Sequence, residues 1–226
     1  MNTLYEPQAA NYSTQEASFL SQVFAFFGLA ILTSAAGTYA GFNFLAPYFI
    51  AMPSLAFFIY ALELILVFSS RAWSTIRPLN YLLFALFAFM TGLTLVPLLA
   101  NIIYQFGGPD IIIKALVATT LMFSGTAIFG WVTKKDLSGL SGFLWISLIG
   151  MIIVSIVGVF WRWSSTFEMI FAGFGVVLFS AYTMYDIQKL KTWPRDRAVD
   201  AALHLYLDIF NLFIFILRLI GGSSRN

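Results

Sequence analysis

Two aspartates lie inside apolar, membrane-length segments in the last fifth of this 226-residue chain. Asp186 is in SAYTMYDIQKL, and Asp208 is in ALHLYLDIFNLFIFILRLI. A carboxylate at bilayer depth costs at least about 2–3 kcal/mol, so such residues usually have a partner or a function. Two carboxylates that approach each other in a low-dielectric site cannot both stay ionised, and they titrate as one coupled unit. The pair therefore predicts a pH-dependent gate that, when deprotonated, repels itself or transiently binds Ca²⁺ through oxygen.

A polar stripe accompanies the second of these aspartates. At 100° per residue, most polar side chains of the last apolar segment lie on about one quarter of the helix circumference. They are Asp200, His204, Asp208, Asn211 and Arg218. Such a stripe faces protein or a wet cavity rather than lipid. Two interpretations stay open: a polar seam that holds helices together, or the lining of an ion or proton path.

Two further residues could take part in the same chemistry. Glu63 is a third acid deep in an apolar segment, where an interhelical hydrogen bond and a place in the ion path are equally open interpretations. Arg71 follows at the cytoplasmic end of that segment and could reach the aspartate pair. The alternative for Arg71 is a simple interfacial anchor.

The composition identifies the class of protein. Hydrophobic residues make up 60% of the chain and charged residues 10%, whereas soluble domains carry about 25% charged residues. The absence of cysteine excludes disulfides and thiolate chemistry. The net charge is only +2 and the basic residues are dispersed, so we expect no nucleic-acid partner. The polar first residues lack a basic region, so we expect the first apolar segment itself to direct membrane insertion.

Seven stretches approach or exceed the roughly 20 residues that cross a hydrocarbon core. They are Phe19–Gly41, Ala46–Ser70, Leu79–Tyr104, Ile111–Thr133, Gly142–Trp161, Phe167–Gln188 and Ala198–Gly221. This predicts a polar tail over 1–18, one transmembrane domain over 19–221 and a short tail over 222–226. Ser13–Glu16 fits a capping box that would start the first helix. Close helix packing is the interpretation of three small residues, Gly125, Gly173 and Gly175.

Lysine and arginine predict the orientation. With the N-terminus inside, the cytoplasmic loops hold Arg71, Arg77, Lys134, Lys135, Lys189, Lys191, Arg195 and Arg197. The opposite side holds Lys114, Arg162, Arg218 and Arg225. This excess favours a cytoplasmic N-terminus, and an odd number of spans then places the C-terminus outside.

Three stretches carry a family resemblance: KKDLSGL at 134–140, FSAYTMYD at 179–186 and ALHLYLDIFNLF at 202–213. They resemble the transmembrane BAX inhibitor motif family, also called Bax inhibitor-1 or YccA/YetJ-like. The resemblance extends over essentially the whole chain. The short loops are more similar to a bacterial member, which implies the bacterial inner membrane.

The resemblance implies seven helices, with the last one central and the other six around it. It also implies a pH-sensitive calcium leak gated by an aspartate pair that matches Asp186 and Asp208, with Ca²⁺ and H⁺ as partners and no permanent cofactor. In bacterial relatives an arginine engages that pair. An ungapped register places Ser74 there, with Arg71 one turn before and Arg77 one turn after, and we expect Arg71 to substitute.

Three other functions compare with the leak. An intramembrane aspartyl protease also uses a Tyr-Asp and a second Asp on consecutive helices. Asp208, however, follows Tyr206-Leu207 rather than Gly-x-Gly, so we expect no enzyme. A regulatory protein that binds and modulates other membrane proteins, such as a membrane protease, stays open. A retinal protein is excluded because the last helix contains no lysine for a Schiff base.

Overall fold

The computed structural model describes residues 6–52, 54–106, 108–161 and 163–223, and this part of the chain is helical without strands. The α-helices are α1 (Glu6–Ala40), α2 (Ala46–Ala51), α3 (Ser54–Phe68), α4 (Ser70–Trp73), α5 (Leu79–Phe106), α6 (Asp110–Val132), α7 (Ser141–Phe160), α8 (Ser165–Lys189) and α9 (Ala198–Ser223). A π-helical segment, Gly41–Leu45, joins α1 to α2, and a 3₁₀ turn, Ser138–Leu140, precedes α7. The predicted all-α class is confirmed.

Six helical spans in the described part are long and apolar enough to cross a membrane. They are Gln15–Ala51, Leu79–Phe106, Asp110–Val132, Ser138–Gly158, Ser165–Lys189 and Ala198–Ser223. The chain is therefore an integral membrane protein, as predicted. The predicted count of seven spans is not confirmed, because the second predicted span has a different structure.

The second predicted span, Ala46–Ser70, is broken near its start. Ala46–Ala51 continues the helix before it, and Met52 leaves the helical region with φ −135° and ψ 78°. Met52 precedes Pro53 in the sequence, and a residue before proline is disfavoured in the α conformation. The remaining helix, Ser54–Phe68, has 15 residues. At 1.5 Å per residue it extends about 22 Å, less than the roughly 30 Å of a hydrocarbon core.

The first helix begins earlier than its sequence indicated. Its backbone is helical from Glu6, so the capping box at Ser13–Glu16 does not mark the helix start. Alanine, glutamine and glutamate around this segment favour a helix, which allows it to run through the expected cap. Residues 1–5 and 224–226 of the predicted tails, together with Arg162 and Arg225, lie outside the described residues.

The chain divides into two compact units, of which the first contains Met1–Ala100 and Thr192–Tyr206. In this unit α1 and α5 approach each other at glycines. A Cβ at Gly92 would lie 2.8 Å from the backbone carbonyl carbon of Ser34, and one at Gly37 would lie 3.0 Å from that of Phe89. The Thr38 hydroxyl donates to the Gly92 carbonyl at 3.0 Å. The small residues therefore allow close backbone approach, as they do in membrane helix pairs generally.

The second unit contains Asn101–Lys191 and Leu207–Asn226. Here α6 packs on α8, where a Cβ at Gly130 would lie 2.8 Å from the Met184 Cα. At Gly175 a Cβ would lie 2.5 Å from the Phe215 ring of α9, which agrees with the predicted packing role. The same expectation is wrong for the other two glycines it covered, Gly125 and Gly173. A Cβ at either would meet nothing within 4 Å among the described residues.

Candidate functional site

The aspartate pair lies in the second unit. Asp186 is on the last turn of α8 and Asp208 is on α9, and their exposed fractions are only 2% and 3%. The two carboxyl groups interact electrostatically, so the fold brings together the residues that the sequence singled out. Within the described part of the chain, Asp208 Oδ2 is buried without a hydrogen-bond partner. A buried carboxylate oxygen in that position has a vacant acceptor site for a proton or a cation.

Tyr182 and Thr183 lie on α8 just before Asp186, and neither was predicted from the sequence. Tyr182 lies one turn before Asp186 on α8 and interacts electrostatically with both aspartates. Thr183 is fully buried on the same helix, and its hydroxyl donates to the Phe179 carbonyl at 2.8 Å. The signal was the four-residue spacing between Tyr182 and Asp186, which places both side chains on one helix face.

The last helix carries buried and half-buried side chains over most of its length. From residue 198 to residue 217 none of its side chains is exposed, and Arg218 is the first that is. The predicted stripe therefore does not separate a buried face from a lipid face on this helix. Arg218 differs from the other stripe residues because it is exposed.

The remaining stripe residues have separate local environments. In the first unit, Asp200 is buried, and the half-buried His204 ring packs edge-on against Trp193 with 5.2 Å between centroids. In the second unit, the half-buried Asn211 donates from Nδ2 to the Leu207 carbonyl at 2.8 Å. The Asn211 side chain thus hydrogen-bonds to the backbone of its own helix. The path-lining role of these residues stays a prediction.

Glu63 and Arg71 both belong to the first unit. Glu63 is buried and accepts a hydrogen bond from the Thr94 hydroxyl at 2.9 Å, which is the interhelical contact that the sequence left open. Arg71 and Arg77 are exposed, whereas Ser74 between them is buried. The expected contact between Arg71 and the aspartate pair stays a prediction.

A glutamine clamps the loop between α6 and α7 to the end of α8 that carries the buried aspartate. Gln188 donates to the Lys135 carbonyl and accepts from the Leu137 backbone N–H, both at 2.8 Å. In the same loop, Asp136 accepts from the backbone N–H and the hydroxyl of Ser138, each at 2.9 Å. These two bonds hold the pKa of Asp136 below its usual value.

The aspartate pair has the right chemistry for a hard cation but too few ligands for a resident one. Ca²⁺ takes six to eight oxygen ligands in protein sites, and two carboxylates supply at most four oxygens. Among the described residues no group of three or more aspartate, glutamate, histidine or cysteine side chains could hold a metal ion. A passing cation that keeps part of its water shell fits this donor set.

Sequence comparison extends these observations to other proteins. The family model described as inhibitor of apoptosis-promoting Bax1 matches residues 16–226. The chain belongs to this Bax inhibitor family. The resemblance drawn from the sequence motifs is therefore confirmed over nearly the whole chain.

Relatives of this Bax inhibitor family member occur in bacteria and in yeast. An uncharacterised protein of Helicobacter pylori strain J99 is 34% identical over 97% of this chain and 93% of its own length. The inner membrane protein YbhL of Escherichia coli K12 is 30% identical over 91% of this chain and 92% of its own. Bax inhibitor 1 of Schizosaccharomyces pombe is 33% identical over 66% of this chain and 54% of its own.

Proposed function

We propose that this protein is a pH-sensitive calcium, or more generally cation, leak of a bacterial inner membrane, gated by Asp186 and Asp208. The observation that supports the proposal is the burial of two electrostatically interacting carboxyl groups in a membrane protein, one of them with a vacant acceptor oxygen. Carboxylates at membrane depth usually belong to ion or proton pathways. The inner membrane location is supported by the E. coli relative, which is an inner membrane protein.

The gate works through one shared proton. When the pair holds a proton, one carboxyl donates to the other and the two helices that carry them stay together. When that proton leaves, two like charges in a low-dielectric site repel each other, and a passing Ca²⁺ offsets the repulsion by binding to their oxygens. Flux should therefore increase as the pH rises.

Calcium flux into proteoliposomes tests the proposal. Wild type, Asp186→Asn and Asp208→Asn are compared across acidic to weakly basic pH, with Asp136→Asn in the exposed loop as the matched control. Asparagine cannot release a proton, so each pair variant should lose the pH dependence that wild type and control retain. If both pair variants fold and keep the wild-type pH profile, the aspartates are not the gate.

A path-lining role for the other polar residues is tested in the same assay. Asp200→Asn, His204→Gln, Asn211→Leu and Glu63→Gln should change the size of the flux and leave its pH midpoint near that of wild type. A midpoint that moves as far in one of these variants as in the pair variants would assign the gate to that residue instead.

The second candidate is a regulatory protein that acts on another membrane protein, such as a membrane protease. The family description favours it, because an inhibitor of apoptosis-promoting Bax1 acts on a second protein. Folded wild-type protein that conducts no cation, together with a membrane protein that co-purifies in fixed stoichiometry, would support this function over the leak. We propose no enzymatic activity, and labelling at Asp208 by an aspartyl-protease transition-state inhibitor would contradict that view.

A further inference from the structure

A second buried carboxyl group lies in the first unit, and the gate proposed above does not use it. Most side chains of α3 are exposed or half-buried, and the two that are buried are Glu63 and Leu66. The helix thus turns a carboxyl group inward while most of its apolar side chains face outward. Within the described part of the chain, Glu63 forms no ion pair. A buried carboxylate without a counter-charge is costly, which favours a site that can hold a proton.

The partner of Glu63 can satisfy both of its protonation states. The Thr94 hydroxyl lies 2.9 Å from Glu63 Oε1, 3.2 Å from the Met90 carbonyl and 3.1 Å from the Thr91 carbonyl. It can donate to the ionised carboxylate. If Glu63 is protonated, the hydroxyl can rotate to one of the two carbonyls and accept the Glu63 proton instead. The Tyr60 hydroxyl holds this part of α5 by donating to the Thr94 carbonyl at 2.9 Å.

A second hydroxyl pair continues the network one turn away on α5. The hydroxyls of Thr91 and Tyr206 form a hydrogen bond, and Thr91 also donates to the Ala88 carbonyl at 2.8 Å. Either hydroxyl can be the donor in the bond between Thr91 and Tyr206. Ser34 from α1 hydrogen-bonds to Tyr206, and Glu63 interacts with Tyr206 electrostatically. The Thr94 hydroxyl thus bonds directly to Glu63, and the hydroxyls of Thr91, Tyr206 and Ser34 form a second group on α5, α9 and α1.

The titration of Glu63 depends on which other titratable or charged groups share its network. The titratable side chains in this network are Tyr60, on its own helix, and Tyr206 of α9. The α1 and α5 helices contribute serine and threonine, which do not titrate. On the neighbouring α4, Arg71 is exposed. Because tyrosine keeps its proton up to about pH 10, Glu63 is the member of this network that can exchange a proton between acidic and weakly basic pH.

We propose that Glu63 and Thr94 form a second proton-binding site, made of residues other than those of the aspartate pair. One proton from the medium binds the Glu63 carboxylate, and the Thr94 hydroxyl reverses from donor to acceptor toward it. Release of that proton restores the original bond. The site does not require the protein to conduct calcium, so it stands or falls independently of the proposed leak.

The composition of the chain allows a direct spectroscopic test. The sequence has four glutamates and six aspartates, and both members of the gate are aspartates. Infrared difference spectra between acidic and weakly basic pH report the carbonyl stretch of each carboxyl group that gains a proton. Labelling the glutamates alone with ¹³C at the side-chain carboxyl shifts their bands and leaves every aspartate band in place. The full-length protein in lipid vesicles is the sample.

Four variants assign the glutamate signal. Glu63→Gln should remove one isotope-shifted band. Thr94→Val, which removes the hydroxyl, should displace that band, whereas Thr94→Ser, which keeps the hydroxyl, should leave it near its wild-type position. The double variant Asp186→Asn/Asp208→Asn should retain it.

The outcomes are decisive in both directions. Glu63→Gln spectra identical to wild type would show that Glu63 does not change protonation, and the proposal would be overturned. If Glu63→Gln does not fold, the two Thr94 variants still decide. Glu16 is half-buried and Glu168 is exposed. The glutamate to which the Thr94 hydroxyl hydrogen-bonds is Glu63. A glutamate band that responds equally to Val and Ser at position 94, or to neither, would contradict the site.

Discussion

Replacing Gly130 with alanine should weaken the packing of α6 on α8, whereas the same replacement at Gly125 should not. Both glycines are on α6 in the second unit. The Cβ added at Gly130 would lie 2.8 Å from the Met184 Cα and would also approach the carbonyl of that residue, and backbone atoms cannot rotate away. The Cβ added at Gly125 would meet nothing within 4 Å among the described residues. The two variants therefore make the same chemical change, from glycine to alanine, but only Gly130→Ala creates a steric clash.

The expected magnitude follows from this geometry. The Cβ at Gly130 falls 0.6 Å short of the 3.4 Å at which ordinary van der Waals contact begins, so α8 must move away locally. Overpacking of this kind costs about 1–3 kcal/mol. Alanine also favours the helix over glycine by about 1 kcal/mol, but this gain is common to both variants. Their difference in unfolding free energy therefore isolates the overpacking cost, with Gly130→Ala the less stable by about 1–3 kcal/mol.

Unfolding in mixed micelles with increasing SDS, followed by far-ultraviolet circular dichroism, measures this difference. Gly125→Ala should be as stable as wild type or slightly more so. If the two variants differ by less than about 0.5 kcal/mol, which is the range of ordinary surface substitutions, α6 and α8 do not approach as closely as described. The steric argument would then be refuted.

Substitutions at three further positions have defined outcomes. Gln188→Ala removes two loop hydrogen bonds, each contributing about 0.5–1.5 kcal/mol, so the Leu137 amide should exchange faster with deuterium, while Gln188→Glu, which keeps the acceptor, should be intermediate. The hydrogen bonds that lower the pKa of Asp136 stabilise its turn fully at pH values above the pKa of an unfolded aspartate, about 3.9. This stabilisation is lost as the pH falls through the lower pKa of the folded state. After correction for intrinsic exchange, the Ser138 amide should therefore lose protection at acidic pH in wild type but not in Asp136→Asn, and equal losses would contradict this. Tyr206→Phe should lower the free energy of unfolding by about 1 kcal/mol for the lost hydroxyl, and Tyr206→Ala should lower it by about 3–5 kcal/mol. Equal losses in the two variants would show that the ring is not packed as described.

The aspartate pair could be predicted from the sequence because burying a carboxylate in a membrane has a high free-energy cost. A carboxylate within an apolar stretch stands out against any background, and two on consecutive segments near one loop restrict where they can meet. The network around Glu63 was not predicted beyond the acid itself. Threonine, serine and tyrosine are common in apolar helices, where they can bond to their own backbone. Nothing in their spacing distinguishes Thr94, which faces Glu63, from Thr120, which bonds only within its own turn among the described contacts.

The errors in the predicted spans have equally local causes. Hydropathy is continuous across Met52 and Pro53, so it predicts one helix over the 25 residues Ala46–Ser70. The conformational preference of a residue before proline predicts a break at the same place. The close approach of α1 and α5 at Gly37 and Gly92 has no such local signal. A glycine in a packed interface and one facing lipid, such as Gly125, look alike until the partner helix is known.

The two proposed proton sites can fail separately, and the combination of results locates the pH sensor. Asp208 of the aspartate pair and Tyr206 of the Glu63 network are both on α9, so a substitution on that helix does not by itself separate them. The isotope label does, because it distinguishes glutamate from aspartate. A titrating Glu63 band together with a flux whose pH dependence survives both aspartate substitutions would leave the second site standing and remove the aspartate gate. A pH-independent Glu63 with a flux that Asp208→Asn makes insensitive to pH would do the reverse.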